Sequence, residues 1–195
     1  MIATGNPGKL REMRAILAGR DLQVVAQSEL GIEPPVEDGD SFAGNALIKA
    51  RHAARIARLP AIADDSGIEV DALDGRPGIH AARYAGPAAD EQANNDKLLG
   101  ELADVADTLR GARYRCAMVF VRDADDPAPI VAEAAWAGHI GRERRGTGGF
   151  GYDPLFIVAG GEITAAEMPA DVKNRVSHRG KALAALALKM KEAGW

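Results

Sequence analysis

The chain has 195 residues, 47% of them hydrophobic and 27% charged, which is the balance of an ordinary folded protein and excludes a disordered one. A net charge of −4, with no run of five or six like charges, argues against a nucleic-acid binder, which would show a basic stripe. No apolar stretch nears the roughly 18 to 20 residues that span a bilayer, and the Gly/Asn/Pro run after Ala3 is unlike a signal peptide. The chain reads as cytoplasmic, without a membrane partner.

Met1-Ile2-Ala3-Thr4 ends like a strand and passes into the turn Gly5-Asn6-Pro7-Gly8. A helix is expected from Lys9, with Leu10, Met13, Ile16 and Leu17 as its apolar stripe. A short strand is expected over 22–26, and the Pro- and acid-rich stretch 31–40 reads as a loop. Asp40 or Ser41 can cap a long helix that runs to Arg58 and is stopped by Pro60. Asn45, Lys49 and His52 fall on one polar face of it, and Phe42, Ala46, Ala50, Ala53 and Ile56 on an apolar one.

Pro60-Ala61-Ile62-Ala63 reads as a buried strand that ends in Asp64-Asp65, which would set two carboxylates at the rim of a sheet. A separate strand is expected over 67–72, then a turn over 74–78 and a helix over 90–102 with Leu98, Leu99 and Leu102 inside. Two apolar strands over 112–122 and 130–140, joined through Ala124-Asp125-Asp126-Pro127, suit an antiparallel pair. A glycine-rich segment over 146–154, a short strand over 155–158 and a last helix over 179–192 complete a mixed α/β pattern with a helix-flanked sheet. Cys116 stands alone in an apolar run, as a buried structural thiol would.

Chemistry is suggested at four places. Thr4-Gly5-Asn6-Pro7-Gly8-Lys9 offers backbone N–H groups, a helix start and a lysine to a polyphosphate. It is no Walker A loop, since Leu10 follows the lysine, and an ordinary strand-to-helix turn has similar residues. Asp64 and Asp65, with Glu37 or Asp38, could hold Mg²⁺, although paired acids at a strand end also serve as caps or surface charges. Gly146, Gly148 and Gly151 satisfy G-x-G-x-x-G, but no strand precedes and no helix follows. The segment reads instead as a substrate loop whose Phe150 could stack on a base. The run 173–179 collects Lys173, Arg175, Arg179 and His178 around a helix start that Ser177 could cap. His52, His80 and His139 read as structural, and Arg142, Arg144 and Arg145 as a solvated loop.

Six short pieces, in order along nearly the whole chain, together carry a resemblance. They are Thr4-Gly5-Asn6-Pro7-Gly8-Lys9; Phe42-Ala43-Gly44-Asn45-Ala46 with Lys49-Ala50; Ala63-Asp64-Asp65-Ser66-Gly67; Pro77-Gly78 with Ala82-Arg83-Tyr84; Gly149-Phe150-Gly151-Tyr152-Asp153-Pro154; and Lys173-Asn174 with Ser177-His178-Arg179. The sequence resembles the inosine triphosphate pyrophosphatase family, and departs from it in having only Met1-Ile2-Ala3 before the first loop.

The resemblance implies a single elongated α/β domain over 1–195, with two lobes, a central cleft that holds the active site, and a homodimer. It implies hydrolysis of deaminated purine nucleoside triphosphates (ITP, dITP, XTP) to the monophosphate and pyrophosphate, with Mg²⁺. In that reading Thr4, Gly5, Asn6, Pro7, Gly8, Lys9 and Lys49 hold the triphosphate. Asp65 is catalytic and binds Mg²⁺ with Glu37, while the split of duties with Asp64 stays open. Phe150, Gly151, Tyr152, Asp153, Lys173, His178 and Arg179 hold the base, with Ser66 close by. The rival readings are another nucleotide-binding NTPase, which would release ADP or phosphate, and a non-catalytic nucleotide-binding module.

Overall fold

The computed structural model describes residues 1–18 and 23–195. In chain order the regular elements are β1 (Ile2–Ala3), α1 (Pro7–Leu17), α2 (Phe42–Ala57), β2 (Ala61–Val70) and α3 (Glu91–Glu101), then β3 (Gly111–Val121), β4 (Ile130–Ile140), β5 (Phe156–Val158), α4 (Ala170–Val176) and α5 (His178–Glu192). The strands form one sheet in the order β1-β2-β3-β4-β5. β1 runs parallel to β2 and β5 antiparallel to β4, so the sheet is mixed and the α/β class read from the sequence holds. Among the described residues no helix is long and apolar enough to cross a membrane.

The chain divides into two compact units. The first comprises Met1–Asp65, Cys116–Ala134 and His178–Trp195; the second comprises Ser66–Arg115 and Ala135–Ser177.

In the first unit the strand side chains sort by parity, because successive residues of a strand point to opposite faces. Ile2, Cys116, Met118 and Phe120 pack with Met13 and Leu17 of α1 and with Ala182, Leu183 and Leu186 of α5. Ala3, Ala61, Ala63, Val119 and Val121 pack with Ala46, Ala50, Ala53 and Ala54 of α2. Alanine on both sides of the second contact lets α2 lie close to the strands. The helix is turned further than its apolar residues alone suggest: Asn45 and Lys49 are buried, whereas Ile56 is 55% exposed. The physical reason is that the buried amide and ammonium both meet the Asp65 carboxylate on β2.

The second unit has an aromatic centre. The Tyr114 ring lies 4.7 Å from that of Phe156 and 6.3 Å from that of Trp136, and Ile68, Val70, Leu98 and Leu102 complete the cluster. Asp90 caps α3 by accepting the Ala93 N–H at 2.8 Å. The buried Arg110 guanidinium donates to the carbonyls of Leu102, Ile140 and Gly141, closing chain ends that would otherwise leave acceptors unpaired.

The elements depart from the expected ones at several points. α1 begins at Pro7 rather than Lys9, because Pro fits the first helical position and Asn6 is the N-cap. The two strands expected on either side of Asp64-Asp65 are one continuous strand, β2. Both aspartates therefore sit inside it and not at its end, which buried charges permit only when cations reach them. α4 has seven residues, too few to show a periodic apolar stripe, and was not expected. The strand expected over 22–26 starts outside the described residues; in its described part, Ala26 makes a single parallel bridge with Ile2.

Candidate active site

The loop ahead of α1 is already well satisfied. The Asn6 side chain accepts the N–H groups of Gly8 at 2.8 Å and Lys9 at 3.1 Å, and Thr4 Oγ1 accepts that of Asn6 at 3.2 Å. Pro7 has no N–H to give. The backbone donors expected to be open to a phosphate at Asn6, Gly8 and Lys9 are thus engaged, and the charge of the loop resides in the Lys9 ammonium. That ammonium is 3.0 Å from Asp64 Oδ2.

Asp64 and Asp65 follow the alternation of β2. Asp64 shares the face of Ile62, toward α1 and α5, and Asp65 that of Ala63, toward α2. Asp64, 1% exposed, meets Lys9 at 3.0 Å and Arg179 Nε at 3.4 Å. Arg179, the second residue of α5, also pairs with Glu12 of α1. Burial opposes ionisation of Asp64, but Lys9, Arg179 and Lys49 more than offset it and hold its carboxyl well below the usual range. For Arg179 burial is likewise outweighed, by Asp64 and Glu12, so its charge is locked.

Asp65 has a different set of partners. Its Oδ1 accepts from Lys49 Nζ at 3.0 Å and its Oδ2 from Asn45 Nδ2 at 3.2 Å. Lys49 also donates to Glu37 at 3.0 Å, so one ammonium serves two carboxylates. Asn45 in turn accepts the Gly39 N–H at 2.9 Å, which ties the acidic loop to α2. Burial raises the Asp65 carboxyl above its ordinary value despite Lys49. Burial disfavours the Lys49 charge, yet Asp65, Asp64 and Glu37 together keep its pKa above normal. The first unit therefore holds a fixed anion beside a carboxylate that takes up a proton more readily. His178, the first residue of α5, is 3% exposed.

In the second unit Asp153 is the centre. It is 2% exposed, and its Oδ2 accepts from Lys173 Nζ at 2.5 Å and from the Phe150 N–H at 2.9 Å. The Lys173 ammonium lies 5.1 Å from the centre of the Phe150 ring. Gly149 has φ +71° and passes so close that an added Cβ would sit 2.0 Å from the Asp153 carboxylate. Gly151, at φ +63°, offers its carbonyl to Asn95 of α3 at 3.0 Å. Tyr152 points into the core and donates its hydroxyl to Ala81 O at 2.8 Å. Ser66 lies half-buried in β2.

Thr4, Gly5, Asn6, Pro7, Gly8, Lys9, Glu37, Lys49, Asp65, His178 and Arg179 thus belong to the first unit, and Ser66, Phe150, Gly151, Tyr152, Asp153 and Lys173 to the second. The sequence placed Asn45 on a polar helix face and in a motif without giving it a role, and Glu12 and Tyr114 were not singled out. Glu12 stands three residues after Lys9, one helical turn along α1, which is the only signal it carries. Tyr114 lies in β3, where its hydroxyl meets Asp153 Oδ1 at 3.1 Å. Arg142, Arg144 and Arg145 each pair with an acid, namely Asp107, Asp96 and Glu167. Cys116 is buried and free, and burial pushes its thiol up to about 12.

Known proteins match along nearly the whole length. The dITP/XTP pyrophosphatase of Methylococcus capsulatus is 56% identical over 191 residues, covering 98% of this chain and 95% of that protein. The dITP/XTP pyrophosphatase of Thioalkalivibrio sulfidiphilus is 55% identical over 183 residues, covering 94% of this chain and 93% of that protein. The solved structure of a HAM1 protein from Coxiella burnetii superposes with a TM-score of 0.89 at 41% identity, over 98% of this chain and 97% of that one. The sequence pattern of the Ham1 family matches residues 1–189, and the chain belongs to that family.

Proposed function

We propose that the chain hydrolyses deaminated purine nucleoside triphosphates (ITP, dITP and XTP) to the monophosphate and pyrophosphate with Mg²⁺, clearing them from the nucleotide pool. The observation that carries this reading is the Lys49 ammonium, 3.0 Å from both Asp65 and Glu37. Mg²⁺ is usually held by one or two carboxylates, with waters and substrate phosphates completing its shell. Asp65 and Glu37 supply that number of hard donors, and among the described residues no larger cluster of His, Cys, Asp and Glu suits a metal. When bound, the ion would neutralise phosphate charge. The relatives named dITP/XTP pyrophosphatase support the choice of substrate.

Asp65, held between Lys49 and Asn45, orients or deprotonates the attacking water. Asp64, locked as an anion, sets the position of Lys9. Lys9 and Lys49, with Thr4, Gly5, Asn6, Pro7 and Gly8, bind a triphosphate of about four negative charges, which the two ammonium groups and Mg²⁺ together offset. Phe150, Gly151, Tyr152, Asp153 and Lys173, with Ser66, His178 and Arg179, hold the base. Donors aimed at a 6-oxo group meet a second donor when a 6-amino group replaces it, leaving buried polar groups unpaired. We read residues 1–195 as one functional domain of two lobes, active as a homodimer in the cytoplasm; the family resemblance supports the two lobes and the homodimer.

The test is to incubate the purified chain with ITP, XTP, ATP and GTP plus Mg²⁺ and to identify the products. Monophosphate and pyrophosphate from ITP or XTP, with ATP largely spared, is the expected result. Orthophosphate as first product, or equal turnover of ATP, overturns the reading.

A further inference from the structure

We infer that Tyr114 is a positioning residue that sets base selectivity through Asp153. The inference rests on the reading of Phe150, Asp153 and Lys173 as part of the base site. The torsion that turns a carboxylate is broad and nearly two-fold, so the hydrogen bonds of its two oxygens decide its orientation. In Asp153 one oxygen receives both Lys173, at 2.5 Å, and the Phe150 N–H, at 2.9 Å. The other receives the Tyr114 hydroxyl at 3.1 Å. Tyr114 thus stops the carboxylate from turning, and the carboxylate in turn fixes the ammonium of Lys173 relative to the ring of Phe150.

The tyrosine is itself immobile. It is 7% exposed and its ring is packed against Phe156 and Trp136, so its hydroxyl comes from the sheet and not from the loop it restrains. The loop has no slack on its own side either, because Gly146 and Gly148 run against the backbone of Ala166. A base stacked on Phe150 is judged by whether its 6-substituent accepts from the cation beside it. That judgement needs a constant relation between ring and ammonium. Tyr114 touches neither substrate nor reacting atoms, so its effect falls on recognition and not on the chemical step.

The experiment compares steady-state kcat and KM for ITP and ATP, and Tm, in the wild type, Tyr114→Phe and Phe120→Leu, a packing control in the core of the first unit. Tyr114→Phe is expected to raise KM for ITP about tenfold, the size of one hydrogen bond to a charged group. Its kcat stays within about twofold and its ATP parameters stay put, so the preference for ITP falls by the same factor. Phe120→Leu is expected to lower Tm and leave the preference unchanged. Asp153→Asn is expected to act in the same direction as Tyr114→Phe and carries the test if the latter does not fold. An unchanged preference in folded Tyr114→Phe overturns the inference, as does an equal shift in Phe120→Leu. A wild-type chain that does not turn over ITP overturns the reading of the site, and this inference with it.

Discussion

Asp64 and Asp65 are neighbours in the chain but face opposite sides of β2, Asp64 meeting Lys9 and Arg179 and Asp65 meeting Lys49 and Asn45. Their asparagine variants should therefore fail in different ways. Asp64→Asn removes the anion shared by Lys9 and the buried Arg179, which keeps Glu12, and a broken buried pair costs about 3 kcal/mol. Urea unfolding should show that loss. Asp65→Asn should keep its fold, as seen by circular dichroism, while kcat on ITP drops roughly 10³-fold, within the range for loss of a general base.

Lys49 links Asp65 to Glu37. Lys49→Met removes the ammonium and leaves two carboxylates facing the substrate phosphates. KM for ITP is expected to rise at least about tenfold, the size of one charge-assisted bond. Initial rates of pyrophosphate release over a range of ITP concentrations check this, and an unchanged KM would remove Lys49 from the account.

Gly149 is held at φ +71° against the Asp153 carboxylate. Gly149→Ala combines a left-handed backbone with a steric clash, and should cost about 1–3 kcal/mol. The loop must move to relieve the clash, so KM for ITP should rise as well. A thermal melt with parallel kinetics measures both effects.

The Cys116 thiol, pushed up to about 12 by burial, stays neutral in the fold. It should resist a thiol reagent at pH 8 and react once the chain is unfolded in urea. The unfolded thiol ionises from about pH 8.5 upward and the folded one does not. Its contribution to stability is complete below that pH and is lost as pH rises toward 12. The stability difference between wild type and Cys116→Ala should accordingly shrink across this interval.

Much of the fold could be read from the pattern of apolar residues. β4 has the expected bounds, β3 and α3 lie within a residue of them, and Ser41 caps α2 as anticipated. The misreading of β2 has one cause. Asp64-Asp65-Ser66-Gly67 is polar enough to look like a strand end, and what keeps it in the sheet is the supply of cations from α1, α2 and α5. Those cations come from distant parts of the chain, so no local window contains them. The same holds for the site. The short motifs pointed to acids near lysines, but which acid meets which lysine depends on strand parity. Tyr114 gave no signal because its motif partner, Asp153, arrives from a loop beyond β4. Asn6 shows the converse: its capping role is local, and its side chain accepts the Gly8 and Lys9 N–H groups of the motif.

The most direct test of the proposed chemistry is hydrolysis of ITP with Mg²⁺ in ¹⁸O-labelled water, followed by mass spectrometry of the products. If Asp65 directs water at the α-phosphorus, the label enters IMP and the pyrophosphate stays unlabelled. Label in pyrophosphate or orthophosphate would contradict the account.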